Sequence, residues 1–206
     1  VCLDDLDAIA FYDKPHRKFT RLISTYLSYA PTGLKSFTKA MPLWLEDRLH
    51  QREQVLNGLG KLGLSEINNY DNLVFLEHHQ SHAASAFYPS PYKSAAVLTL
   101  DGVGEWATTT VAWGNGNNLE IQKEIHFPHS IGLMYSAFTY YLGFKVNSGE
   151  YKVMGLAPYG EPKYVEKIFE ELIDLKEDGS FRLNQDYFDY CTGLRMINQS
   201  FERLFS

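Results

Sequence analysis

Apolar positions along the chain change their spacing several times, and each change predicts an element. Ala8 to Tyr12 is a short apolar run closed by Asp13-Lys14-Pro15, which predicts a buried strand ended by the proline; Leu3 to Asp7 reads as the connection leading into it. From Phe19, the positions Leu22, Ile23, Tyr26 and Leu27 recur at helical spacing. Beyond Pro31-Thr32-Gly33 a second helical stretch carries Leu34, Phe37, Met41, Leu43, Trp44, Leu45 and Leu49. Aromatics so spaced are core or interface residues more often than a cofactor box. Glu46 to Lys61 turns charged, a solvated helical face with Gly58 and Gly60 marking its end. Leu73-Val74-Phe75-Leu76 predicts a strand, and Ala83 to Phe87 tolerates a helix.

The clearest buried strand is Ala95 to Leu100, whose end delivers Asp101. Thr108 to Trp113 and the alternating Leu119 to Phe127, separated by the turn-rich Gly114 to Asn118, complete an antiparallel meander. A helix starts at Ser130-Ile131-Gly132 and stops at Leu142-Gly143; an amphipathic one runs from Pro162 to Leu172; Asp178-Gly179 turns the chain into Phe181-Arg182-Leu183. Phe188 to Ser206 reads as a lid, a linker or the entry to further structure. There is no internal repeat.

Composition narrows the class. With 206 residues, 45% hydrophobic and 15% aromatic, the chain has enough apolar material for one core. A net charge of −6 argues against a nucleic-acid duplex or an anionic membrane as partner. Cys2 and Cys191 lie far apart with no C-x-x-C spacing, which suits a reducing cytoplasm and argues against a disulfide framework. No apolar run approaches a membrane span, and no signal-peptide pattern opens the chain. Val1 stands where an initiator Met is expected and a strand follows at once, so the chain is expected to be part of a longer one, a trimmed domain being the simpler alternative.

Candidate chemistry gathers in three stretches. In Glu77-His78-His79-Gln80-Ser81-His82-Ala83, at a strand end, His78 and His82 fall four residues apart on a helical first turn and point the same way. Two imidazoles so placed can share a metal, the alternative being a solvated polar helix start. The zinc-protease pattern is absent, since His79 and Ser81 occupy the places its glutamate needs. A third ligand, a carboxylate, must come from elsewhere. The second stretch, Asp101-Gly102-Val103-Gly104-Glu105, lies between two strands, which excludes the P-loop and dinucleotide fingerprints. It retains phosphate-handling chemistry, with glycine amides free to converge on an anion and Asp101 able to hold a cation, although a plain hairpin turn uses the same residues. In the third, Asn147 to Gly160, Glu150 and Lys152 are candidates for binding substrate or phosphate, or for a surface ion pair.

Taken in order, Glu77 to Phe87, Asp101 to Glu105 and Ser148 to Gly160, with Phe11-Tyr12-Asp13-Lys14-Pro15 before them, closely resemble the nodulation-type O-carbamoyltransferases, a family that also tailors antibiotics. The resemblance implies an α/β fold of the actin-like ATPase type (RNase H-like, Kae1-like), partial here, with a mixed sheet flanked by helices. Residues 1–206 would form part of the Kae1-like N-terminal domain, with a YrdC-like C-terminal domain outside this chain. It implies an ATP-dependent reaction in which carbamoyl phosphate is converted to carbamoyl-adenylate and the carbamoyl group passes to a small-molecule hydroxyl. It also implies a divalent metal, iron by preference, on His78 and His82 and an aspartate beyond Ser206, with Mg2+ a further ion for the nucleotide. His79 and Lys152 would be catalytic, and Asp101, Gly102, Gly104, Glu105, Glu150 and Gly155 would bind the nucleotide. Cytoplasmic location follows, oligomerisation is open, and the isolated chain is expected to be inactive. The alternative is a non-enzymatic nucleotide-binding regulator or assembly subunit on the same scaffold; a sugar or acetate-type kinase would leave the histidines unexplained.

Overall fold

The computed structural model describes residues 6–46, 48–62 and 73–206. In chain order the elements are β1 (Ile9–Phe11), α1 (Pro15–Tyr29), α2 (Leu34–Glu46), α3 (Gln51–Lys61), β2 (Leu73–Phe75), α4 (His78–Phe87), β3 (Ser94–Leu100), β4 (Ala107–Asn115), β5 (Asn118–His126), α5 (Ile131–Tyr141), α6 (Glu150–Leu156), α7 (Val165–Lys167), β6 (Ile173–Leu175), β7 (Phe181–Leu183) and α8 (Gln199–Phe205). This is a mixed α/β chain. Cys2 and most of the Leu3 to Asp7 connection lie outside the described residues. No helix among the described residues is long and apolar enough to cross a membrane.

The expected mixed sheet is found, among the described residues, as three separate sheets of single sense. β1 and β2 pair in parallel, β3-β4-β5 form an antiparallel meander, and β6-β7 an antiparallel pair. Connection length sets the difference: a parallel pair needs a long crossover, supplied by α1 to α3, whereas a short loop and a two-residue turn hold the meander strands side by side. β1 is also less buried than its apolar run suggests, with Ala10 exposed. α3 ends at Lys61, one residue past Gly60, where the charged stretch was expected to end. Each glycine costs a helix about 1 kcal/mol; packing of Leu56, Val55 and Leu59 against Leu73, Ile9 and Phe75 offsets that cost.

The meander buries one face on α4. Val97 and Ala112 pack against Ala83 and Phe87, so the histidine-bearing helix is fixed by apolar contacts along its length. At the opposite end Phe188, Ile197, Phe201 and Phe205 join Ala137, Leu172, Ile173, Phe181 and Leu183 in the largest core. The stretch Phe188 to Ser206 is therefore packed interior and not a lid or linker. Its aromatics are spaced for burial from several directions, which periodicity does not reveal. The Pro162 to Leu172 helix is broken into α7 and a π-helical turn, Ile168–Leu172, that places Leu172 in this core.

Candidate metal centre

β2 ends at Phe75, and α4 starts three residues on, with Glu77 as its extended N-cap residue. Glu77 does not cap the helix with its own side chain. The opening N–H is taken by Glu105, from the loop after β3: His78 N donates to both its carboxylate oxygens at 3.2 and 3.1 Å, and Lys14 N donates to Oε1 at 3.0 Å. Glu77 Oε1 in turn accepts from Lys14 Nζ at 3.2 Å and Arg17 Nη1 at 2.5 Å. Two carboxylates thus tie the starts of α1 and α4 to the glycine loop. Arg21 closes the arrangement by donating to the Gly104 carbonyl at 2.7 Å. Burial pulls its guanidinium down to about 10 against the upward pull of Asp13 and Glu105.

One helical turn brings His82 over His78, with Nε2 atoms 3.1 Å apart, and the tip of β3 brings Asp101 to them. Asp101 Oδ2 lies 2.7 Å from His78 Nε2 and 3.8 Å from His82 Nε2. Ligands held about 2.0–2.2 Å from one cation stand roughly 3.0–3.5 Å from each other, and these separations bracket that range. Two imidazoles and a carboxylate form a donor set suited to a divalent transition metal. The hydrogen bond from His78 holds the Asp101 carboxyl down to about 2; burial works upward, and the Gly102 N–H adds to the lowering. Asp101 is therefore an anion at any physiological pH. Its place is fixed from behind: Ser130 Oγ sits 3.0 and 2.7 Å from the Asp101 and Gly102 carbonyl oxygens while accepting the Leu133 N–H that starts α5. Gly132 lies so close to the Asp101 carbonyl that a Cβ there would overlap it.

The structure therefore joins His78 and His82 to Asp101, which the sequence assigned to nucleotide, and gives the pair a carboxylate within residues 1–206. The loop glycines serve the histidines and not an open anion cradle. Gly102 N donates to Asp101 Oδ1 at 2.7 Å and Gly104 N to the Ala107 carbonyl at 2.9 Å. A Cβ on Gly104 would stand 2.9 Å from His79 Cδ2 and 3.2 Å from His78 Cβ, so the glycine is what lets α4 approach. Glu105 is 7% exposed and occupied with main-chain N–H groups, which makes it an anchor of the two helix starts.

His79 is 2% exposed. Its Nδ1 meets Thr99 Oγ1 at 2.6 Å, and Thr99 meets Thr110 at 2.7 Å, a chain that clamps α4 to β3 and β4. Desolvation lowers its pKa, against the upward pull of Asp101, and Nε2 is buried. It positions its neighbours and has no exposed nitrogen for carrying a substrate proton.

Glu150, Lys152 and Gly155 lie on a different element, α6. The Glu150 carboxylate closes its own helix start, accepting from Ser136 Oγ at 2.7 Å and from the N–H groups of Asn147 and Gly149 at 3.0 and 3.2 Å. Its slight desolvation pushes its pKa up, and these hydrogen bonds outweigh that and lower it. Lys152 and Gly155 are exposed. Among the described residues no hydrogen bond or ion pair joins either to His78, His82 or Asp101. Sequence reasoning missed Lys14, Arg17, Thr99 and Ser130 as supports. Of these only Lys14 had a signal, in the Phe11 to Pro15 motif.

Over 205 residues the chain is 58% identical to the uncharacterized protein sll1178 of Synechocystis sp., covering all of this chain and 33% of that protein. It is 41% identical over 116 residues to nodulation protein NolNO of Sinorhizobium fredii, covering 55% of this chain and 17% of that one. It is 37% identical over 113 residues to nodulation protein NolO of Bradyrhizobium diazoefficiens, with shares of 54% and 20%. The chain thus matches a third or less of the length of each. The model of the carbamoyltransferase N-terminus family matches residues 1–206, and the chain belongs to that family.

Proposed function

We propose that this chain is the metal-holding part of an ATP-dependent O-carbamoyltransferase. It would act on carbamoyl-adenylate made from carbamoyl phosphate and ATP, and deliver the carbamoyl group to the hydroxyl of a small molecule. The observation that carries this reading is the convergence of His78, His82 and Asp101, whose ligand atoms lie within 4.8 Å of one another; family membership supplies the reaction class. A nucleotide-binding regulator would have no use for that convergence, which is why the enzyme reading is preferred. The actin-like, Kae1-like architecture belongs to the same proposal, as do a YrdC-like adenylating domain elsewhere in the polypeptide and a cytoplasmic location.

The residues divide the work. His78, His82 and Asp101 would hold the divalent ion, iron by family preference, with Mg2+ reserved for ATP. When bound, such an ion supplies Lewis acidity that polarises an acyl oxygen or acidifies a hydroxyl. Asp101, kept ionised, contributes negative charge and does not shuttle protons. His82 is half exposed and His78 is not, so the acceptor approaches on the His82 side. In the transfer the acceptor hydroxyl gives its proton to solvent, its oxygen bonds to the carbamoyl carbon, the bond from that carbon to the AMP phosphate oxygen breaks, and its electron pair leaves with AMP. Glu105 and Arg21 hold the loop and helix so that the three ligand atoms stay in place. Metal analysis and carbamoyl transfer by the full-length protein test this. His78→Ala and His82→Ala are expected to lose the metal and at least 100-fold of the rate; full activity in either would overturn the proposal.

A further inference from the structure

The composition of β3 calls for more cover than one helix gives it. Ala95 to Leu100 is apolar at nearly every position, the pattern of a strand buried on both faces. Only alternate side chains are covered. Val97 packs against α4, whereas Leu98 and Leu100, pointing the other way, are exposed, Leu98 by 62%. Strand register extends this strip onto β4: Leu98 stands opposite Val111 and Ala96 opposite Trp113. Val111 and Trp113 are exposed as well, Trp113 by 51%. Four large apolar side chains thus adjoin on one face. Single exposed leucines are ordinary in a folded protein, but a contiguous apolar patch marks an interaction surface.

The patch has definite borders. On β5, Lys123 lies opposite Val111 and Glu120 opposite Trp113, so this face turns charged one strand further on. At the other border, Thr109 lies opposite both Leu100 and Ile125. Ile125 packs against the core that contains Ala137 of α5, and Gly132 of α5 abuts the Asp101 carbonyl at the tip of β3. α5 therefore occupies this face of the meander at that end, with α4 on the opposite face. The apolar strip continues the layer of α5 along β3 and β4 toward Trp113.

We infer that the outer face of β3 and β4 is the seat of an amphipathic helix from the part of the same polypeptide outside residues 1–206. Helices are the elements that already pack on both faces of this sheet, and a further one beside α5 completes a layer. The strip from Ala96 to Leu100 is about 13 Å long at ~3.3 Å per residue, which about nine helical residues span at ~1.5 Å each. The apolar side of that helix faces Leu98, Leu100, Val111 and Trp113, and its flank toward β5 carries charge to meet Lys123 and Glu120. The relatives supply its source. The protein sll1178 aligns with all of this chain over only 33% of its own length, so most of such a polypeptide lies outside the matched part. Tethering favours that source over a second copy: a segment of the same chain docks without the cost of bringing two molecules together. Separate chains need about 800 Å² on each partner, more than four half-exposed side chains offer. The inference rests on packing alone, apart from the metal assignment and from carbamoyl transfer.

Site-specific photocross-linking in the full-length protein tests it. The photoreactive residue p-benzoylphenylalanine is placed at Leu98 in one variant and at Trp113 in another, the second keeping an aromatic ring in place should the first fail to fold. Lys163, an exposed position, serves as the control. The expected result is a cross-link at monomer mass from both positions to one segment outside residues 1–206, with attachment points within about ten residues of each other. The same segment is not captured from Lys163. A cross-linked dimer would give the face to a second copy, and attachment within residues 1–206, or none from either position, would leave it to the fold or to solvent. Each of these overturns the inference, as do attachment points too far apart in sequence for one helix. Loss of metal in His78→Ala leaves the cross-link in place, so this inference and the proposed function fail separately.

Discussion

Replacing Glu105 by alanine removes one carboxylate, in a position 7% exposed, and strands the main-chain donor His78 N that it accepts at 3.1–3.2 Å, whereas Lys14 N keeps Asp13 Oδ1 at 3.0 Å. A buried donor without a partner costs about 1–3 kcal/mol, so the first turn of α4 should lose that much local stability. At about 1.4 kcal/mol per factor of ten, amide exchange from Ser81 through Ala83 should speed up by roughly 5- to 100-fold. Glu105→Gln keeps one acceptor oxygen but turns an NH2 toward the same donors, and should fall between alanine and wild type. Loosening a residue that orients a metal-binding histidine typically weakens the metal about 10- to 100-fold. The paired assay is therefore hydrogen exchange of α4 together with metal titration of the full-length protein. Wild-type exchange and wild-type affinity in Glu105→Ala would refute the anchoring role and with it the account of why the loop ends in glutamate.

Other expectations follow from the same structure. Gly104→Ala pushes a Cβ to 2.9 Å from His79 Cδ2, and overpacking of this kind costs about 1–3 kcal/mol, read as a lower melting temperature and reduced metal stoichiometry. Lys152→Ala should leave metal content unchanged, since Lys152 is exposed on α6 and apart from the three ligands; loss of metal would return it to the site. Phe201→Ala empties a fully buried ring position and should cost about 3–5 kcal/mol in urea unfolding. For His129, desolvation lowers the pKa below 6.5, with Arg182 adding to it, and Nδ1 accepts the Leu183 N–H at 3.1 Å, so the folded chain keeps that nitrogen unprotonated. Its contribution is then complete above pH 6.5 and declines as acid protonates the unfolded chain first, by up to about 1.4 kcal/mol per pH unit. His129→Gln should flatten that part of the stability profile, and an unchanged slope would contradict the assignment.

Local elements were legible where one physical cue dominated. The meander followed from alternation and turn residues, and α5 from Ser130 followed by an apolar helical pattern, so β3 to β5 and α5 lie within a residue or two of expectation. The i, i+4 histidines were readable because a helix fixes their geometry locally. Asp101 was read as able to hold a cation and, by resemblance, placed at the nucleotide; nothing in a D-G-x-G loop says that its carboxylate folds back onto a helix some twenty residues earlier. The anchoring contacts of Glu105 were hidden for the same reason: its two N–H partners lie in segments distant in sequence. The aromatic core from Phe188 onward was hidden because its burial comes from long-range packing against α5, β6 and β7.

The unequal shielding of the two imidazoles gives the centre a front and a back. His78, at 14% side-chain exposure, belongs to the wall, while His82, at 51%, forms the doorway. Loading of an ion, its removal by a chelator and entry of an acceptor would all use that doorway, so they should be mutually exclusive in time. A bulky acceptor already docked would guard the ion against chelation, and that protection would reveal acceptors before any product is seen.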